Sequence, residues 1–435
     1  MSASTLAIFR APLLHFLADP GNDGAAGSFE FFEDGLLIVE HGKVQSAGPA
    51  ADLLSQLPAG TGINDYSGHL IIPGFVDTHI HYSQTDVIAS SGHDLLHWLE
   101  HYTFPEERKF ADAGHAADVA EFFLDELMRN GTTTALVFGT VHKQSIEVFF
   151  EAAARRNLRM VAGKVLMDRN CPEYLRDMPD SGYRESAELL EKWNHQARLG
   201  YAITPRFAVT SSEEQLKLAG QLAREHPDAH IHSHVAENVD EVAWVKQLFP
   251  WSRSYLDVYD RHGLLRDRAV YAHCIHLDDG DRRRMAESGA AASFCPSSNL
   301  FLGSGLFDLA NADRAGFKVG MGTDVGGGTS FSMLRTLADA YKVSQMGGNT
   351  LPPLRAFYLA TLGGATALGL EDSIGNFEAG KEADFIVLNC KATPLIERRL
   401  AGAATLAEKL FALMTLGDDR AILQTSILGQ PMLHN

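Results

Sequence analysis

Two histidines, His79 and His81, stand two residues apart at the end of the apolar run "PGFVDTHIHYSQ". On a strand, residues i and i+2 face the same way, so both imidazoles address one point. A buried imidazole needs a polar partner. Two that share a point suit an ion. Other polar groups fall at the ends of similar runs. Arg206 closes "LGYAITPRF", and His273 falls at the end of the β-type part of "AVYAHCIHL". His234 falls near the end of "AHIHSHVAE", with Glu237 three residues on, and Asp324 near the end of "KVGMGTDVG". His79, His81, His234 and Asp324 offer three neutral nitrogens and one carboxylate. That donor set suits Zn²⁺, with Fe²⁺ as a competitor. Such an ion lowers the pKa of bound water from roughly 15.7 to about 7. Glu237, just past a ligand, is placed for general acid–base work. His273 is either a ligand or a hydrogen-bond partner of the attacking oxygen. The second role is favoured, because four ligands already saturate a tetrahedral set apart from water.

One metal per chain is expected. Barrels with two metals bridge them with a modified lysine at the end of the fourth strand. Arg206 holds that place here, and Lys164 falls on the third strand. His93, His97 and His101 recur every four residues and so share a helix face. They read as a wet or interface-facing helix before they read as a second metal site.

The strand-end positions matter only if the strands converge. From residue 70 onward, β-type runs alternate with amphipathic helical stretches. The runs are "LIIPGFVDTH", "TTTALVFG", "RMVAGKVLM", "LGYAITPRF", "AHIHSHVAE", "AVYAHCIHL", "AAASFCPSS" and "KVGMGTDVG". A helix is expected over "EEQLKLAGQLAREH", after the start signal Ser211-Ser212. Eight such units argue for a closed (β/α)8 barrel, whose strand C-termini gather on one face. The flanks differ. "GLLIVEHGKVQSAG" (35–48) reads as a hairpin about His41-Gly42, and "IGNFEAGKEADFIVLN" and "AILQTSILGQ" end the chain in β-type runs. A small β-domain assembled from both termini follows. The expected divisions are 1–70, 71–372 for the barrel, and 373–435 with a tail helix.

Composition excludes several classes. The 435 residues are 45% hydrophobic and 21% charged, with a net charge of −18. So acidic a chain offers no basic patch for a nucleic-acid backbone. No apolar run is long enough to span a bilayer. The amino terminus lacks a signal-peptide pattern, so a cytoplasmic location is expected. The four cysteines, Cys171, Cys274, Cys295 and Cys390, are scattered and read as reduced thiols. "CPSS" from Cys295 lacks the second cysteine that cytidine-type zinc deaminases carry.

The chain resembles the amidohydrolase superfamily and, within it, the guanine deaminase family. The likeness covers most of the chain, in order: "PGFVDTHIHYSQ", "HWLEHYTFPEE", "NGTTTALVFGT", "GKVLMDRN", "ITPRFA", "SHVAEN", "FCPSSNLFLGSG", "GMGTDVGGGTSFSML" and "TLGGATALGL". H-x-H and G-T-D mark the superfamily alone; joined with "TPRF" and "YTFP" they are much more specific. Ser83, where many bacterial relatives have proline, and Ala236 depart from the pattern without touching a proposed ligand. The resemblance implies an α/β fold: a distorted (β/α)8 TIM barrel with a small β-sandwich domain from both termini. It implies one zinc on His79, His81, His234 and Asp324. It makes Glu237 the proton shuttle, with His273 and Asp324 beside the attacking oxygen. Gln84, Arg206 and Phe207 would hold guanine, with His81 and Glu237 against the base. The implied reaction turns guanine and water into xanthine and ammonia, in a homodimer. Adenosine derivatives, pterins and s-triazines are the rival substrates, and a non-catalytic scaffold is the rival class.

Overall fold

The computed structural model describes residues 6–58, 60–92 and 94–432. Parallel strands run in chain order around a barrel: Phe75–His81, Thr132–Phe138, Arg159–Gly163, Gly200–Pro205, His230–Val235, Ala269–His273, Ala291–Phe294 and Lys318–Met321. A short strand, Val165–Leu166, continues beside the fourth. Each barrel strand matches one of the β-type runs of the sequence. Their apolar character on both faces follows from burial inside and beneath helices.

The seam between first and eighth strands closes through residues past the end of the eighth. Asp324 N donates to His79 O at 2.9 Å, and His81 N to Val325 O at 2.9 Å. Lower down, Thr78 Oγ1 donates to Met321 O at 3.0 Å. Inside, Val76, Leu136, Val161, Ala202, Val270 and Ala291 form one apolar layer with Ala365 and Leu368. One residue comes from each of six strands. This layer closes the floor beneath the polar mouth.

Several helices start where side-chain oxygens meet free backbone N–H groups. Ser212 Oγ accepts from Gln215 N at 3.1 Å and opens Glu213–Glu225. Asp112 caps Ala113–Arg129 in the same way.

A mixed sheet takes strands from both ends of the chain. Leu6–Phe16 pairs with Phe29–Glu40, which pairs with Lys43–Pro49 about the two-residue turn His41-Gly42. Both turn residues have positive φ, 53° and 77°, as the twist of a tight hairpin demands. Leu70–Pro73 pairs with Phe385–Leu388, and Ile422–Ile427 follows. Two helices, Pro394–Ala401 and Leu406–Leu416, lie between those last two strands. The sheet has its own apolar core, including Phe9, Leu13, Ile71, Phe385 and Val387.

One expectation needs correcting. "LIIPGFVDTH" reads as one strand, but Leu70–Pro73 belongs to the mixed sheet and Phe75–His81 to the barrel. Gly74 is the joint. A Cβ there would lie 2.1 Å from Thr133 Oγ1, so only glycine lets the two sheets meet this closely.

Candidate active site

The first strand delivers His79 and His81 to the mouth of the barrel. Asp77, two residues earlier, pins it in register. Its Oδ1 accepts from His79 N and Thr323 N, each at 3.1 Å, and its Oδ2 accepts from Thr323 Oγ1 at 2.5 Å. One buried carboxylate thereby ties the His-x-His segment to the segment that carries Asp324. Asp324 itself has φ 52° and His273 φ 71°. Such left-handed backbone costs energy in a non-glycine residue and clusters at functional sites. Here it turns each side chain in from the strand end. The glycines after Asp324 follow from the same turn. Gly328 N donates to Asp324 O at 2.5 Å, and a Cβ on Gly328 would sit 1.8 Å from Thr323 O.

The donor atoms converge. His81 Nε2 lies 3.2 Å from His79 Nε2, and His234 Nε2 lies 3.3 Å from His81 Nε2. Asp324 Oδ1 is 3.2 Å from His79 Nε2 and 3.5 Å from His81 Nε2. His79, His81 and His234 form one metal-capable trio; His79, His273 and Asp324 form another. Burial holds the imidazoles of His79, His81 and His234 below their usual pKa, so they stay neutral. Each has its other ring nitrogen engaged. His234 Nδ1 donates to Arg206 O at 2.7 Å, and His79 Nδ1 lies 2.7 Å from His232 Nε2. The Gln84 amide lies 3.1 Å from His81 Nδ1. The oxygen of that amide accepts from Gly326 N at 3.2 Å.

Glu237 and His273 sit beside these donors. His273 Nε2 is 3.3 Å from Glu237 Oε2 and 3.8 Å from Asp324 Oδ2. Asp324 thus divides its oxygens, one toward His79 and His81 and the other toward His273. Asn299 Oδ1 accepts from His273 Nδ1 at 2.8 Å, and Ser304 Oγ donates to Glu237 Oε1 at 2.9 Å. Burial pushes the Glu237 carboxyl up to about 7; His273 opposes the rise, and the carboxylates of Glu241 and Asp324 add to it. Burial alone would lower His273, but Glu237 and Asp324 outweigh it and raise its pKa.

A pocket opens onto this cluster. Gln84, Arg206, Phe207, His81, His234, Glu237, His273 and Asp324 all line it. Arg206 is 2% exposed, and its Nη1 donates to both oxygens of Glu107 at 2.8 Å. Glu107 is fully buried. The guanidinium also lies over the Phe104 ring, 5.5 Å from its centroid. Leu95, Trp98 and Leu99 supply an apolar wall from a segment that passes from helix (Leu95–Trp98) to a π-helical turn (Leu99–Thr103). His97 and His101 stand on this segment, their rings stacked at 3.9 Å. His101 is exposed, and neither belongs to a metal-capable cluster among the described residues. His93 lies outside the described residues. A trio away from the donors, Asp86, Glu106 and His115, already has a cation, since Lys109 Nζ is 2.6 Å from Glu106 Oε2.

Residues 70–432 match the model of the amidohydrolase family. The chain belongs to that family. It is 53% identical over 405 residues to the guanine deaminase of Escherichia coli (strain K12), covering 93% of this chain and 92% of that one. The solved structure of E. coli guanine deaminase is similar over 99% of both chains, with a TM-score of 0.95 and 49% identity. A guanine deaminase from C. acetobutylicum, with guanine bound in its active site, gives a TM-score of 0.88 at 31% identity. It covers 98% of this chain and 100% of that one.

Several residues around this amidohydrolase site escape a strand-end search. Glu107 stands in "YTFPEE", far from any barrel strand end. Asp77 looks like an ordinary polar residue within a strand. Within "CPSSNLFLGS", Asn299 lies in the short helix Pro296–Phe301 and Ser304 just after it. His232 had a readable signal. It forms a second H-x-H with His234, the same period-two pattern that marks His79 and His81.

Proposed function

We propose that this amidohydrolase hydrolyses guanine to xanthine and ammonia with one divalent ion, zinc or iron, held by His79, His81, His234 and Asp324. The observation that carries the substrate is the likeness along the whole chain to guanine deaminases, one of which is solved with guanine in its active site. The donor set supports the ion: among three Nε2 atoms and a carboxylate oxygen, four of the six pairs lie 3.2 to 3.5 Å apart. When bound, such an ion supplies Lewis acidity, bringing the pKa of water from roughly 15.7 to about 7.

The residues then divide the work. Water oxygen adds to C2 of guanine, the carbon that bears the amine. Glu237 accepts a proton from the water and delivers it to ring nitrogen N3, which draws electrons from C2. A second proton passes through Glu237 to the amine. The C2–N bond breaks, and ammonia leaves. His273, raised in pKa beside two carboxylates, donates toward the oxygen as charge gathers on it. Arg206 commits Nη1 to Glu107. The rest of its fork is free to donate to the carbonyl O6, and as a donor-only group it disfavours an amine there. Gln84 reads a second edge of the base, and Phe207 packs beside it.

The family likeness also brings a homodimer, a cytoplasmic location and a role in purine breakdown into the reading; sedimentation tests the first. Among the described residues, no helix is long and apolar enough to cross a membrane. Ammonia release from a panel of aminopurines, pterins and s-triazines tests the substrate. Turnover confined to a pterin or a triazine would overturn guanine as the substrate.

A further inference from the structure

His232 belongs to none of the roles above, yet it touches the metal-capable cluster. It lies on the fifth barrel strand, on the same inward face as His234, and is fully buried. Its Nε2 is 2.7 Å from His79 Nδ1, and the two rings meet edge to face with centroids 4.9 Å apart. The Phe138 ring packs on its other side at 4.3 Å. Nothing in this packing lets either ring turn toward solvent.

The direction of the His79–His232 hydrogen bond follows from ligand chemistry. A neutral imidazole carries one proton. If His79 offers a bare Nε2, its proton sits on Nδ1 and is donated to His232. His232 then accepts at Nε2 and carries its own proton on Nδ1. The opposite arrangement would put a proton on Nε2 of His79, among the donors, where it would block an ion. The partner of the second ring nitrogen therefore decides whether the first can ligate. His230, one pleat below, donates its Nε2 to Leu368 O at 2.7 Å, and no hydrogen bond joins its Nδ1 to Nδ1 of His232.

We propose that His232 is a positioning residue. It holds His79 in the tautomer and orientation that present Nε2 to the ion, and so sets metal affinity without touching the metal. The proposal rests on the metal reading above. What it needs at position 232 is a buried acceptor in reach of His79 Nδ1, not an imidazole as such. A glutamine carbonyl can supply that; an aliphatic chain of similar bulk cannot, and leaves a buried N–H unpaired.

The test is metal retention, read without turnover. Wild type, H232Q and H232L are loaded with Zn²⁺, equilibrated against a graded chelator, and assayed for bound metal by elemental analysis. H232L is expected to raise the apparent Kd by about 10- to 100-fold, with H232Q close to wild type. Thermal unfolding of the metal-free chains is expected to separate the variants far less than metal retention does. If the H232L chain does not fold, H232V replaces it with the same expectation. Wild-type affinity in the aliphatic variant would overturn the proposal. So would equal losses in H232Q and the aliphatic variant, which would make His232 a space-filler. A wild type that holds no metal overturns the metal reading itself and this proposal with it, whereas metal in wild type with no loss in the variants overturns this proposal alone.

Discussion

Glu237 carries the proton traffic of the proposed reaction, and its surroundings tune it for that work. Burial pushes its carboxyl up to about 7. A group that takes a proton from water and gives it to a weakly basic ring nitrogen works best with a pKa near the operating pH. The sign follows. The carboxylate is the active form, so kcat is expected to fall as pH drops through the Glu237 pKa. Because a bound cation stabilises the carboxylate, the acid limb of the loaded enzyme should have its midpoint at or below about 7. Glu237→Gln is expected to lose about 10²- to 10⁴-fold in kcat while keeping its metal; near-normal turnover would remove Glu237 from the mechanism. Arg206→Ala should lower kcat/KM for guanine by about 1.5–3 kcal/mol, the scale of a charged hydrogen bond, with metal content unchanged. The same change strands the Glu107 carboxylate, so a loss of about 3–5 kcal/mol of stability is expected in denaturant titration. The residues of the metal-capable cluster were legible in the sequence because period-two spacing and strand ends reveal them. Glu107 was not. Its pairing with Arg206 spans 99 positions, and only the folded segment between the first and second strands brings it over the barrel.

Among the elements, the barrel strands could be read from apolar runs, but their sheet membership could not. A fully buried strand is apolar whichever sheet it joins. Leu70–Pro73 is assigned to the mixed sheet by pairing with residues from the far end of the chain, such as Ile71 with Val387. The hairpin about His41-Gly42 was legible because its turn is local. A latch of charges joins the two sheets beneath the barrel. Arg159, opening the third strand, donates to Glu382 Oε2 through Nε at 2.7 Å, and Arg198 Nε donates to the same oxygen at 2.9 Å. Arg198 also reaches Asp384. Burial would raise the Glu382 carboxyl, but the bonds from Arg159 and the charge of Arg198 outweigh it and hold it down from 4.5 to about 2. A depressed carboxyl stabilises the fold above its unfolded pKa, and that stability is lost as pH falls through the folded value. Wild type should therefore exceed Glu382→Gln in stability above about pH 4.5, with the gap closing toward about pH 2. Urea midpoints across that range check it; a gap that stays constant with pH would mean the latch does not act through charge.

For the whole molecule, the barrel joins a closed apolar floor to a polar mouth. The floor layer of Val76, Leu136, Val161 and their neighbours separates the ionisable groups of the mouth from the charge latch beneath the barrel. An ion there would tie together the first, fifth and eighth strands. Dialysis against a chelator is therefore expected to abolish activity and lower the Tm, with both restored by about one equivalent of zinc per chain. Two metals per fully active chain would contradict the one-ion reading. The most direct test of the whole account compares kcat/KM for guanine and adenine in the metal-loaded protein. Adenine places an amine where Arg206 needs an acceptor, and a site built for one polar group can reject its mismatch by about 10⁴- to 10⁵-fold. Rapid release of ammonia from guanine and almost none from adenine is the expected result. Comparable rates on the two bases, or turnover of neither, would contradict it.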